Sequence, residues 1–405
     1  MTPMRLLFSL FSILFVTTSF AQQGSWVAQI HRTDGNNIVF TFDWKTEKGK
    51  PVWYIKNGGE KIRVANILQT GDSFIVQMPV FESNFRIAIV NKNIRGVWIK
   101  RGTVKTYALA FTAIPGTERF TTNGLADKNI SGRWSVTFGK GKNTEASIAE
   151  FVQKGNHITG TFLTATGDYR YQEGIVTKDS VLLSGFDGGN AYFFKAHIDN
   201  ANTISDGVFY SGGTSHEEWA AVKNNTAKLS TESAAMFVKP GQEKLNFTFK
   251  NLEGQPVSIN DDRFKNKVVI IQLMGSWCPN CMDETAFLSD YYNKNKQRGI
   301  EIIALAYEYT TDWERSIRSL KKFQKRFNIQ YTILNTEVTV GDSLHTEKTL
   351  PQVTPIKTFP STIIIDKKGK IRKLDTEFNG PATGAHYIVY KKKFEHTVDE
   401  LLQEN

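Results

Sequence analysis

The chain is 405 residues long, carries 50 Lys and Arg against 40 Asp and Glu, and has a formal net charge of +10 at pH 7. That length suits two or three domains. The basic residues are scattered, and the densest runs, Lys321-Lys322 and Lys391-Lys392-Lys393, lie on helix-patterned stretches with apolar residues opposite, so they read as solvated faces and not as a nucleic-acid surface.

Arg5 and the apolar run Leu6 to Val16 lead to Ser19-Phe20-Ala21, with small residues at −3 and −1 before Gln22. This is the pattern of a cleaved signal peptide over residues 1–21; the apolar run falls short of the ~20 residues that span a bilayer. Export places the chain in an oxidising compartment and removes nucleic acid as a partner. No cysteine follows the apolar run to carry a lipid anchor.

From Trp26 to about Asn225 the pattern is all-β, as an antiparallel barrel or sandwich. Apolar–polar alternation recurs in Ile38–Phe42, Ser73–Gln77, Phe85–Ile89 and Gly96–Ile99, bounded by turn residues such as Asn57-Gly58-Gly59. A break between Pro115-Gly116 and Lys128 divides the region into residues 22–125 and 126–225, either one large β domain or two smaller ones. After the break, Gly132-Arg133-Trp134 and Ile158-Thr159-Gly160-Thr161-Phe162 resemble the strands of avidin or lipocalin barrels, a likeness of architecture alone. Residues 226–241 are polar and unpatterned, and read as a linker.

Residues 242–405 change class. Val268–Met274 is a buried-strand run, helix follows to Gly299, and Ile300–Tyr307 is a second strand. A helical stripe through Trp313, Ile317, Leu320 and Phe327 ends near Asn328, and Tyr331–Leu334 is a third strand. Ser361–Asp366 and Ile371–Leu374 form a hairpin, and Phe394, Val398, Leu401 and Leu402 mark a closing helix. Strands alternating with helices, then a hairpin and a helix, predict a mixed sheet covered on both faces. Gly380-Pro381-Ala382-Thr383-Gly384 reads as a turn.

The only cysteines stand together in Trp277-Cys278-Pro279-Asn280-Cys281, directly after the first of these strands. A strand that delivers such a pair to a helix start is what a redox dithiol requires: the free N–H groups and dipole of the first turn stabilise a thiolate on Cys278. Pro279 suits the first helical position. Cys281, three residues on, can resolve a mixed disulfide formed by Cys278, and Trp277 shapes the rim. Zinc would need about four ligands, covalent haem a His where Met282 stands, and a structural bridge closing two residues would stabilise little. The motif calls for no metal and no organic cofactor. Phe359-Pro360 precedes the strand of the final hairpin, where a cis proline would face the dithiol and the Phe359 backbone would pair with an extended substrate. Asp283 reads as a solvated acid of the first helical turn.

Residues 242–405 resemble the thioredoxin superfamily, and within it the exported TlpA/ResA-like thiol–disulfide reductases. The resemblance is carried by Asn246-Phe247-Thr248, Leu252–Ser258, Lys267–Cys281 and Phe359-Pro360-Ser361-Thr362. It implies a multidomain protein, all-β at the N-terminus and α/β thioredoxin-like at the C-terminus. It also implies a Gram-negative periplasmic location, disulfide-containing protein substrates and a membrane thiol-reducing system as electron donor. Thioredoxin's buried acid is replaced by Gln272, whereas the glutamate of the TlpA/ResA-like proteins is matched by Glu284, a catalytic proton acceptor for Cys281. Peroxiredoxins share the fold, but the Pro and Thr of their cysteine motif are replaced here by Ile271 and Gly275. A further reading makes the β region a ligand- or protein-binding module with the redox domain as accessory.

Overall fold

A computed structural model describes residues 23–404 apart from Asn123 and Thr231; the expected signal peptide lies outside the described residues. Two antiparallel nine-stranded sheets are followed by a seven-stranded mixed sheet.

The first sheet runs from Gly24–Ile30 to Thr106–Pro115, and these two strands pair with each other at its centre. Its edges, Glu60–Val64 and Asn66–Thr70, are consecutive in the chain with only Ala65 between them, so the sheet wraps to near closure. The period-2 pattern turns one set of side chains inward: Phe40, Phe42, Trp44, Trp53, Phe74, Phe85 and Phe111 fill its core.

The second sheet is a closed barrel. Gly132–Lys140 pairs with the next strand, Asn143–Lys154, and with the last, Ser215–Lys223, which leaves no free edge between them. Its interior is filled by aromatic rings, with Phe194 stacked on Phe162 at 4.4 Å and on Phe209 at 4.3 Å. A short strand, Gly167–Asp168, folds back on the end of His157–Thr164 and forms a turn at the barrel mouth.

These two sheets share a core. Phe186, Phe193 and Tyr210 of the barrel belong to the hydrophobic cluster of the first sheet, and Phe186 stacks on Phe40 at 4.3 Å. The Asn57 side chain exchanges hydrogen bonds with the Phe186 backbone at 2.8 and 3.0 Å, and the buried Arg119 guanidinium donates to Ser184 O and Glu173.

In the third sheet the strand Val268–Met274 is buried at every position, parallel to Ile300–Ala306 on one side and antiparallel to Ser361–Ile365 on the other. Being covered on both faces, it reads as an apolar run with no alternation, interrupted only by Gln272. The helices are α1 (Pro279–Asn295), α2 (Trp313–Phe327), the short α3 (His345–Thr349) and α4 (Ala385–Gln403). Gly299, at φ +90°, ends the turn after α1, and Asn328, also left-handed, caps α2. Strands Thr248–Asn251 and Pro256–Ser258 extend the sheet at one edge. The described residues of 226–241 are irregular, but Val238 bridges Val353 and Met236 is buried in the core on one face of this sheet. Gly380–Gly384 is a turn containing one short 3-10 segment.

Two surface expectations fail. Asp283 is buried, and Lys322 reaches across to donate to Phe81 O at 2.8 Å. Both belong to helix positions that the N-terminal sheets cover, an event outside the reach of helical periodicity.

Candidate active site

The strand Val268–Met274 runs into Gly275-Ser276-Trp277, and α1 starts at Pro279 with Cys278 as its N-cap. The Cys278 sulfur accepts the Cys281 N–H at 3.1 Å, so a first-turn amide of the helix points at it. Cys278 and Cys281 are joined in a disulfide. The Phe359–Pro360 peptide bond is cis, and Phe359 O lies 3.4 Å from the Cys278 sulfur. The fold thus brings Trp277, Cys278, Cys281, Phe359 and Pro360 to one place.

Trp277 is fixed by three neighbours. Its Nε1 donates to Tyr307 O at 2.7 Å, its ring stacks on Tyr309 at 5.1 Å, and its edge meets Phe359 at 5.8 Å. The ring also lies over Gly275, where a Cβ would fall 2.1 Å from Trp277 Nε1. No larger residue fits at 275 while the tryptophan stays.

Two acids are buried beside this loop. Glu284, one turn along α1 from Cys281, accepts hydrogen bonds from Thr362 Oγ1 (2.7 Å), Tyr390 OH (2.9 Å) and Gln272 Nε2 (2.9 Å). Burial nevertheless pushes its pKa up to about 7, because desolvation outweighs these donors. Glu308 follows the strand Ile300–Ala306 and accepts from Ser276 N at 2.8 Å and Ser276 Oγ at 2.6 Å. Burial pushes it, too, up to about 7. Sequence reasoning missed Glu308; its one signal was an acid at the carboxyl end of a buried strand, where open α/β sheets place their sites.

The N-terminal sheets also reach the site. Arg170 of the barrel donates to both oxygens of Asp283 at 2.8 Å and to Glu60 of the first sheet at 2.6 Å. Burial works against the Arg170 charge, but Asp283 and Glu60 hold its pKa well above the usual value. Asp168 accepts from Asn280 Nδ2 (3.2 Å) and Gly380 N (2.8 Å). Nothing in the local sequence marks either residue. Among the described residues no cluster of His, Cys, Asp and Glu is arranged to hold a metal ion.

Residues 240–374 match the AhpC/TSA family model. Over 153 residues the chain is 29% identical to the thiol-disulfide oxidoreductase ResA of Bacillus thuringiensis subsp. konkukian, covering 38% of this chain and 77% of that one. The C-terminal region is a thioredoxin-superfamily oxidoreductase domain. Its Cys278–Cys281 pair is a redox-active disulfide of the Cys-x-x-Cys type. Over 206 residues the chain is also 27% identical to the chloroplastic peroxiredoxin Q of Sedum lineare, covering 50% of this chain and 95% of that one. Among solved structures it is similar to the thioredoxin domain of a thiol-disulfide oxidoreductase from Bacteroides vulgatus, at 26% identity and TM-score 0.28, covering 38% of this chain and 96% of that one.

Proposed function

We propose that this protein is an exported thiol–disulfide oxidoreductase that reduces disulfides of other proteins in the periplasm of a Gram-negative bacterium. The observation that carries the reading is the Cys278 sulfur, held at the start of α1 with Phe359 O 3.4 Å away. In the reduced state the Cys278 thiolate attacks one sulfur of a substrate disulfide. The substrate S–S bond breaks, a mixed disulfide forms, and the departing substrate thiolate takes up a proton. The Cys281 thiol then loses its proton toward Glu284, whose pKa of about 7 suits both acceptance and release. Its thiolate attacks the Cys278 sulfur and expels the second substrate thiol. Two electrons leave the protein, Cys278–Cys281 closes, and a membrane-linked dithiol donor restores it. Trp277 and the Phe359 backbone line the place where an extended substrate chain would lie.

The test is capture. A Cys281→Ser variant cannot resolve the intermediate, so it accumulates mixed disulfides with its substrates through Cys278 that a reducing agent releases. Adducts absent from the variant in envelope extracts, or formed equally by a Cys278→Ser variant that keeps Cys281, would sink the reading.

A peroxidase is the second reading, favoured by the AhpC/TSA match and the likeness to peroxiredoxin Q. Against it, Gly275 occupies the position of the peroxide-binding threonine and Trp277 fills the space a threonine would need. Peroxide consumption by the reduced protein, measured beside insulin reduction, separates the two.

A further inference from the structure

Neither sulfur is open to a macromolecule as the chain stands: Cys278 is 3% exposed and Cys281 fully buried. Part of that cover comes from outside the thioredoxin-like domain. On one side Val80 and Phe81 of the first sheet join the hydrophobic cluster that contains Met274, Cys278 and Cys281, with Trp277 packed against it. Beside them Glu82 pairs with Arg315 of α2 at 2.5 Å. On the other side the barrel turn 164–170 lies across the redox dipeptide. Thr166 O accepts from Thr358 Oγ1 at 3.0 Å, next to Phe359-Pro360. Asp168 holds Asn280 between the two cysteines, and Arg170 holds Asp283 on α1. Gly167 touches Asn280 so closely that a Cβ there would fall 2.9 Å from Asn280 Nδ2, on a backbone of φ +142°.

We infer that the barrel turn 164–170 is a latch over the dithiol, so that a disulfide reaches Cys278 only when this contact parts and the β units decide which disulfides are admitted. The inference rests on Cys278 being the attacking thiol. Thr166 is hydrogen-bonded to Thr358, next to the Phe359 backbone that the proposed function gives to an extended substrate, so the turn and a substrate chain compete for the same segment. The contact is made of hydrogen bonds and an ion pair, groups that water can satisfy when it opens, which suits a joint that parts and re-forms. The apolar contact at Phe81 gives the closed state its register.

Alkylation of the reduced full-length chain tests this without turnover. In a Cys281→Ser background, Cys278 is modified in parallel by N-ethylmaleimide and by a maleimide carrying a long polyethylene glycol chain. The ratio of the two rates cancels the thiolate fraction and reports size exclusion. The parent should discriminate against the large reagent by about tenfold or more relative to the same chain in denaturant, the ratio expected if opening costs ~1.4 kcal/mol or more. Gly167→Val, which pushes the turn off Asn280, and Asp168→Ala, which removes the hub of the contact, should each bring the ratio close to the denatured value while circular dichroism keeps its native shape. A parent that discriminates no more than the denatured chain, or discrimination untouched by both variants, overturns the latch. Size exclusion at Cys278 as expected, together with a wild-type chain that reduces no disulfide, keeps the latch and loses the reductase reading.

Discussion

Replacing Glu284 by Gln isolates one ionisation. Burial pushes this carboxyl from 4.5 up to about 7, against the donors Thr362, Gln272 and Tyr390. A carboxyl whose pKa is higher folded than unfolded holds its proton more tightly in the folded chain. Its stabilisation is therefore whole below about pH 4.5 and is lost as pH climbs to about 7, with no further change above. Two and a half units at about 1.4 kcal/mol each set the full loss at ~3 kcal/mol. Gln resembles the protonated acid: its carbonyl can still accept from Thr362 and Tyr390, and its amide can donate to Gln272 once that side chain turns over. The variant should match the wild type within ~1 kcal/mol near pH 5 and exceed it by ~2–3 kcal/mol near pH 8.5. The assay is guanidinium unfolding of the oxidised proteins, so that neither cysteine titrates, and the variant-minus-wild-type difference removes the contribution of Glu308. A difference that stays constant across this range would refute the argument, because it would mean that Glu284 is ionised at both ends.

Phe186→Ala removes a ring shared between the first sheet and the barrel, stacked on Phe40 and edge-on to Trp98 at 5.4 Å. Denaturant unfolding should show a loss of ~3–5 kcal/mol, as for other buried phenylalanines, and a loss under ~1 kcal/mol would mean that the two sheets do not depend on a common core. Glu308→Ala strips Ser276 N of its acceptor beneath the Trp277 loop, which should cost ~1–3 kcal/mol. Hydrogen exchange should find the Ser276 amide among the fast-exchanging group, and undiminished protection there would show that another group holds the loop.

Much of the C-terminal domain was legible because its signals are local. Val268–Met274 is a strand buried on both faces and shows an apolar run broken only by Gln272. Gly299 and Asn328 end their helical segments through backbone angles that these residue types accept readily. The short helix His345–Thr349 and the edge strand Thr248–Asn251 are too brief to set up a period, and their structure comes from neighbours. In the β region alternation revealed strands but not partners. Closure of the barrel depends on Gly132–Lys140 meeting Ser215–Lys223 across most of that region, a register with no trace in either strand alone.

Asp283 shows the same limit at the site. It follows Met282 just past the first turn of α1, where the sequence reads as a solvated acid. Its partner Arg170 stands 113 residues away in the chain, and only the docking of the barrel makes the position a buried ion pair. Glu284 differs, since its place one turn beyond Cys281 already put it on the helix that carries the pair.

The dithiol is written locally: the cysteine spacing, the strand before it, Pro279 at the helix start and Phe359-Pro360 before the last hairpin are features that the backbone reads within a few residues. What surrounds the dithiol is set by the packing of the three sheets. The residues packed around it, Phe81, Asp168 and Arg170, come from the two other sheets, so the burial of the cysteines depends on contacts between segments remote in the chain.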